Sequence, residues 1–287
     1  MCPRAAAALL CALAACAPRV REAPPARVEA VAVGGATVRL EYGPQDEREA
    51  RRVAAALAWA VPRAEQWGPL RAPVTIVLQP SHAALEAAVH RPGYPWLRAW
   101  ARYDAIELQS PRTWNRFFPP AAAELEELLA HELTHCAMYQ QAGSAWSWPW
   151  LEIPLWFREG MASVTAGQGY KRTRPAELRA FWARPSGGAA DGVAGSAGGA
   201  RAGAAGDPIA DPEPLYQAQP ELVYGAAHLA FQFLLDRYGA DRVRQVLAGM
   251  REGHAFPGAF RRAIGLTPAE FEGEFRRYVA WQDWAGR

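Results

Sequence analysis

An α+β fold is predicted by three features of this sequence. Residues 28 to 109 carry short runs that either alternate in polarity or are wholly apolar and β-branched, the pattern of strands. Ala121–Gln141 contains neither Gly nor Pro and repeats its leucines at helical spacing. Beyond residue 206, apolar positions recur at intervals of three and four through to Trp281. The expected architecture is a small mixed sheet with accompanying helices over residues 28–185, then a helical half over residues 207–287.

Taken in order, Val28–Val33 and Thr37–Tyr42 flank Gly34-Gly35, and Val38, Leu40 and Tyr42 alternate with polar neighbours, so a β-hairpin is expected. Asp46–Trp67 follows as a helix through Val53, Leu57 and Val61, perturbed at Pro62. Val74–Leu78, entered through Pro73, suits a buried strand. Ser81 is placed to cap a helix running through His90, and Tyr103–Gln109 reads as another strand. The long helix over Ala121–Gln141 has an apolar stripe of Leu125, Leu128, Leu129 and Leu133, with Glu124, Glu126 and Glu127 as a solvated face near its positive end. Gly143–Leu155 connects it to a second helix and holds Trp146, Trp148 and Trp150. At least half of these tryptophans are expected to pack; the others line a cleft or meet lipid head groups. The segment 186–206 is almost entirely Gly, Ala and Ser and is expected to be a disordered insertion. Leu222–Tyr238, Asp241–Arg251, Ala255–Ile264 and Pro268–Trp281 complete the chain as helices, with Gly239 and Gly265 at expected helix ends.

The N-terminus reads as a processing segment. Arg4 precedes a short apolar run, Ala5–Ala12, too short to span a bilayer. Leu13-Ala14-Ala15-Cys16 then resembles the lipobox of bacterial lipoproteins. Residues 1–15 are accordingly expected to be a signal peptide, Cys16 the lipidated residue, and residues 16–27 a tether. An ordinary secretory signal or an Ala-rich start is the alternative. Ala17 rather than Asp follows Cys16, so attachment to the outer membrane facing the periplasm is expected. Cys2 and Cys11 leave with the signal, so Cys136 remains alone and no disulfide within one chain is expected. Its neighbour is a candidate metal ligand, but packing as a small hydrophobe is the preferred reading. A net charge of +2 without a basic stripe argues against a nucleic-acid partner.

The chemistry is carried by His131-Glu132-Leu133-Thr134-His135. On a helix, positions i and i+4 share a face, so both imidazoles can converge on one ion while Glu132 is placed to act on a water beside it. A catalytic zinc takes three protein ligands and keeps one position open. Glu159, within Trp156-Phe157-Arg158-Glu159-Gly160-Met161-Ala162, is the candidate third ligand from the second helix. Arg158 either meets a substrate carboxylate or faces solvent, and His82, His90 and His254 have no ligand spacing.

These two motifs resemble the gluzincin clan of metallopeptidases, and Leu155–Ala162 is similar to the peptidase MA-like group of bacterial proteins, over residues 50–282. The resemblance implies a zincin-like catalytic fold in the N-terminal half and a single Zn2+ held by His131, His135 and Glu159, with Glu132 as general base. It also implies that Tyr224 or His228, one helical turn apart, stabilises the oxyanion. In such folds the strand before the zinc helix lies at the cleft, so Ala105–Leu108 either pairs with an extended peptide or is internal to the sheet. The clan often has an Asp four residues after the ligand Glu that orients a ligand His; this chain has Ser163. The expected function is a zinc-dependent metallopeptidase of the bacterial cell envelope, acting on a peptide or protein and held to the membrane by its N-terminal lipid. The alternatives are a catalytically silent zinc lipoprotein serving as a binding or assembly module, and a hydrolase of another amide, such as one in the cell wall.

Overall fold

A computed structural model describes residues 27–115, 117–183 and 206–281. The expected signal peptide, Cys16 and the tether up to residue 26 lie outside the described residues, as does the Gly/Ala segment apart from Gly206. No described helix is long and apolar enough to cross a membrane.

The sheet has five strands: β1 (Arg27–Val33), β2 (Ala36–Tyr42), β3 (Val74–Gln79), β4 (Ala99–Ala101) and β5 (Ala105–Gln109). Their spatial order is β1-β2-β3-β5-β4, with the β1–β2 and β5–β4 pairs antiparallel and the two central pairs parallel. Gly34 makes the hairpin turn at φ 59°. Helix α1 (Glu47–Ala64) crosses from β2 to β3 and buries Val53, Leu57 and Val61, as its periodicity predicts; it runs through Pro62 for two further residues. Helix α2 (His82–Val89) crosses from β3 toward β5 and is capped by the Ser81 hydroxyl, which accepts from the Ala84 N–H at 3.1 Å. The parallel pairs need such crossovers.

An alternative left open by the sequence is decided here. β5 is hydrogen-bonded to β3 on one side and to β4 on the other, so Ala105–Leu108 offers no free edge. The edge belongs to β4, three residues long and without a readable alternation.

Helix α3 (Ala122–Ala142) is buried on all sides from Leu129 onward because it lies between two apolar cores. Leu125, Leu129, Leu133, Cys136 and Ala137 pack with the sheet and α1, while Met138, Tyr139 and Ala142 join the helical half. Gln140, fully buried, ties the helix to the sheet side. Its carbonyl accepts from the N–H groups of Arg71 and Ala72, and its amide donates to the Tyr103 carbonyl. The helical core is built by α4 (Leu155–Thr165), α5 (Pro175–Trp182), α7 (Pro220–Tyr238), α8 (Ala240–Arg251), α9 (Phe256–Ile264) and α10 (Pro268–Trp281), with the short α6 (Glu213–Tyr216) set against α7. The second motif helix, α4, thus buries Trp156, Phe157 and Met161 with the C-terminal helices. Gly265 ends α9 in the left-handed region at φ 89°.

The tryptophan-bearing connection departs from expectation. Trp146 and Trp150 are 91% and 82% exposed, so only Trp148 packs, 5.3 Å from the Tyr139 ring. The average burial of Trp says little about a Pro-containing surface loop.

Candidate metal centre

α3 and α4 meet so that three side chains converge. The Nε2 atoms of His131 and His135 lie 3.3 Å apart, and the Glu159 Oε2 stands 3.3 Å from the first and 3.5 Å from the second. All three residues are buried. Bonds of 2.0–2.1 Å to a tetrahedral zinc place neighbouring ligand atoms about 3.3–3.4 Å apart. Two nitrogens and one carboxylate oxygen at this spacing fit that ion, and they are the one such group among the described residues.

What fixes Glu159 is the packing of α4. Trp156 stacks on Phe271 at 5.0 Å and donates from Nε1 to Glu272 at 3.0 Å, and Phe157 meets Phe231 and Phe256 edge-on. Gly160 lets α4 touch α7 backbone to backbone: a Cβ there would stand 2.3 Å from the Ala227 carbonyl oxygen and 2.6 Å from the Phe231 Cβ. Glu159 is therefore held from the helical half, and the two histidines from the helix between the cores.

The triad lines a cavity of about 360 Å³, together with Glu132, Tyr224 and the edge strand β4. Burial pushes the Glu132 carboxyl up to about 7, and Glu159 adds to this; His131 and the backbone N–H of Ala101, which bonds to the carboxylate, oppose it. Glu159 is also raised by burial, but His135 and His131 outweigh that and hold it well below the ordinary range.

Tyr224 reaches the cavity and shares a 2.9 Å hydroxyl–hydroxyl bond with Tyr216. Burial, with Glu159 and Tyr216 nearby, pushes its phenol well above the usual value, so it remains a donor. Trp96, on the approach to β4, meets the rings of Tyr216 and Tyr224 at 5.6 and 5.9 Å, joining the sheet side of the cleft to the helical side.

His228 is not among the residues lining the cavity. It lies one turn deeper along α7, where its Nδ1 is 3.0 Å from the Ser163 hydroxyl. The shared face expected for Tyr224 and His228 runs under α4, and only its first member emerges into the cleft. Ser163 also accepts from the Arg172 Nε at 3.1 Å. The Nδ1 atoms of His131 and His135 have no hydrogen-bond partner among the described residues, so Ser163 does not replace the outer Asp.

Burial, with Arg172 adding to it, pushes the His228 imidazole down to about 4 from 6.5. Above pH 6.5 the ring is neutral folded or unfolded, and below it only the unfolded chain gains the proton. Stability is therefore lost as pH falls from 6.5 toward 4. A shift of this size predicts a loss of about 2 kcal/mol between pH 7.5 and 5. Urea denaturation at the two pH values measures it, and His228→Gln should flatten that component of the slope.

Arg158, Arg172, Tyr216, Tyr139 and Arg98 also line the cavity. Of these, only Arg158 carries a sequence signal, its place beside Glu159.

No family model matches the chain, and no curated protein matches it. Among solved structures, the M1 zinc metallopeptidase from Deinococcus radiodurans is similar at 16% identity and a TM-score of 0.40, over 89% of this chain and 52% of that one. A point variant of that enzyme gives 0.41, and a two-domain M1 zinc metallopeptidase variant bound to L-tryptophan gives 0.40, both at the same identity and coverage. The chain spans about half the length of these structures.

Proposed function

We propose that the chain is a zinc-dependent metallopeptidase, and the observation that carries this reading is the buried His131–His135–Glu159 triangle opening onto the cavity that also holds Glu132. Zinc at such a site supplies Lewis acidity, activating water and polarising a carbonyl. The chain's own residues supply the rest. Glu132 takes the proton of the attacking water and passes it to the leaving amine, a task that suits a carboxyl raised toward neutrality by burial. Tyr224, kept as a hydroxyl, is the donor for the developing oxyanion. β4 faces the cavity with one side unpaired among the described residues, and main-chain pairing there holds an extended substrate with little sequence preference. The setting we infer is the bacterial cell envelope, with a lipid on Cys16 tethering the enzyme to the periplasmic face of the outer membrane.

Glu132→Gln is expected to keep one zinc per chain and to lower kcat by about 10²–10⁴-fold on a mixed peptide library. A second reading, a silent zinc-containing binding or assembly module, is favoured by the unpartnered Nδ1 atoms of both histidines. Zinc stoichiometry of one with no cleavage by either protein would select it. Cleavage confined to non-peptide amides would redirect the substrate class while leaving the site intact.

A further inference from the structure

The arginines of the cleft are not paired with its carboxylates. Arg98, Arg158, Lys171 and Arg172 line it, against Glu132, Glu159 and Glu221. Lys171 is engaged by Glu127 at 2.5 Å. The three arginines bond to neutral groups: Arg98 to the carbonyls of Pro95 and Leu97 and to Gln109, Arg172 to Ser163 and Gln168, and Arg158 to the Tyr139 hydroxyl. None of the three has a carboxylate at ion-pair distance among the described residues.

Arg158 is the sharpest case. It directly precedes Glu159, it is partly buried, and its Nε is enclosed without a partner. The neighbouring Glu159 carboxylate is committed to the two imidazoles. A dication on that triad would consume the one negative charge close to the guanidinium. A cation withdrawn from water is costly unless an anion meets it, and the planar fork of arginine matches a carboxylate.

Building on the peptidase reading, we propose that Arg158 anchors a carboxylate of the substrate. That group is either the α-carboxylate at a peptide C-terminus or the side chain of an Asp or Glu near the scissile bond. The cleft then selects acidic ends or acidic residues, with Arg172 and Arg98 adding a favourable field.

The test uses the zinc-loaded full chain carrying Glu132→Gln, so that cleavage does not consume the probes. Three tripeptides are titrated calorimetrically: Ala-Phe-Ala as the free acid, Ala-Phe-Ala amide, and Ala-Phe-Asp amide. At least one carboxylate probe is expected to bind tenfold or more tightly than the neutral amide, as a charge-assisted bond provides. The free acid leading identifies the chain terminus as the source, and the Asp amide leading identifies the side chain. Adding Arg158→Gln should erase the advantage while changing the neutral amide threefold or less, and Arg158→Lys should restore part of it. Equal or undetectable binding of all three probes overturns the proposal, as does an equal loss for all three in Arg158→Gln. Should that variant fail to fold, the acid-against-amide comparison in the parent still decides. Wild-type cleavage of neutral and acidic peptides alike would sink the anchor and leave the hydrolase standing. Carboxylate-selective binding with no cleavage of any peptide would do the reverse.

Discussion

His135→Ala is expected to leave a folded chain that no longer retains zinc. The imidazole supplies one of three candidate ligand atoms spaced 3.3–3.5 Å apart, and its loss would leave only His131 and Glu159 to hold an ion. Removing an outer-shell partner alone costs about 10–100-fold in metal affinity, so deleting a ligand should cost well beyond that. Elemental analysis after dialysis and a competition titration with a chromogenic chelator measure it. Unchanged stoichiometry in the variant would count directly against the ligand assignment.

The second large effect is expected at a residue that touches no metal. Gly160→Ala would drive a methyl group to 2.3 Å from the Ala227 carbonyl oxygen and 3.0 Å from its carbonyl carbon, backbone atoms that cannot rotate away. Overpacking of this kind costs about 3 kcal/mol or more, since α4 must lift from α7. The same lift carries Glu159 out of the triangle, so zinc affinity should fall by about 10–100-fold, comparable to losing an outer-shell group. Guanidinium denaturation and zinc titration of one preparation read both losses. A variant with an unaltered midpoint and unaltered affinity would show that the two helices part freely.

The readable parts of this molecule were those with enough length for a period to show. The hairpin around Gly34, α1 through Val53, Leu57 and Val61, α3, and the four C-terminal helices all repeat their apolar positions several times. β4 does not: Ala99–Ala101 is too short to alternate, so the sequence leaves open whether its neighbour β5 is an edge or an internal strand. Short α5 and α6 escaped for the same reason. At the site, the convergence of His131, His135 and Glu159 was legible because one helix fixes the spacing of the two imidazoles and the carboxylate sits in a second compact motif. Tyr216, Arg98 and Arg172 reach the same cavity from separate segments, and only tertiary packing brings them there. His228 illustrates the converse. Helical spacing correctly put it on the Tyr224 side of α7, but it carries no information on how far along that side the cleft extends.

The way β4 sits in the sheet has an outcome for how a guest chain can be aligned. The Arg98 carbonyl and the Arg102 N–H both turn toward β5, so by alternation the amides of Ala99 and Ala101 turn away from it. The outward N–H at Ala101 is already spoken for by Glu132. A strand that paired along this rim would therefore run out of free donors at Glu132. On the proposed peptidase reading, the rim would act as a ruler with a stop at one end, setting which bond of the visitor comes to rest beside the three converging side chains.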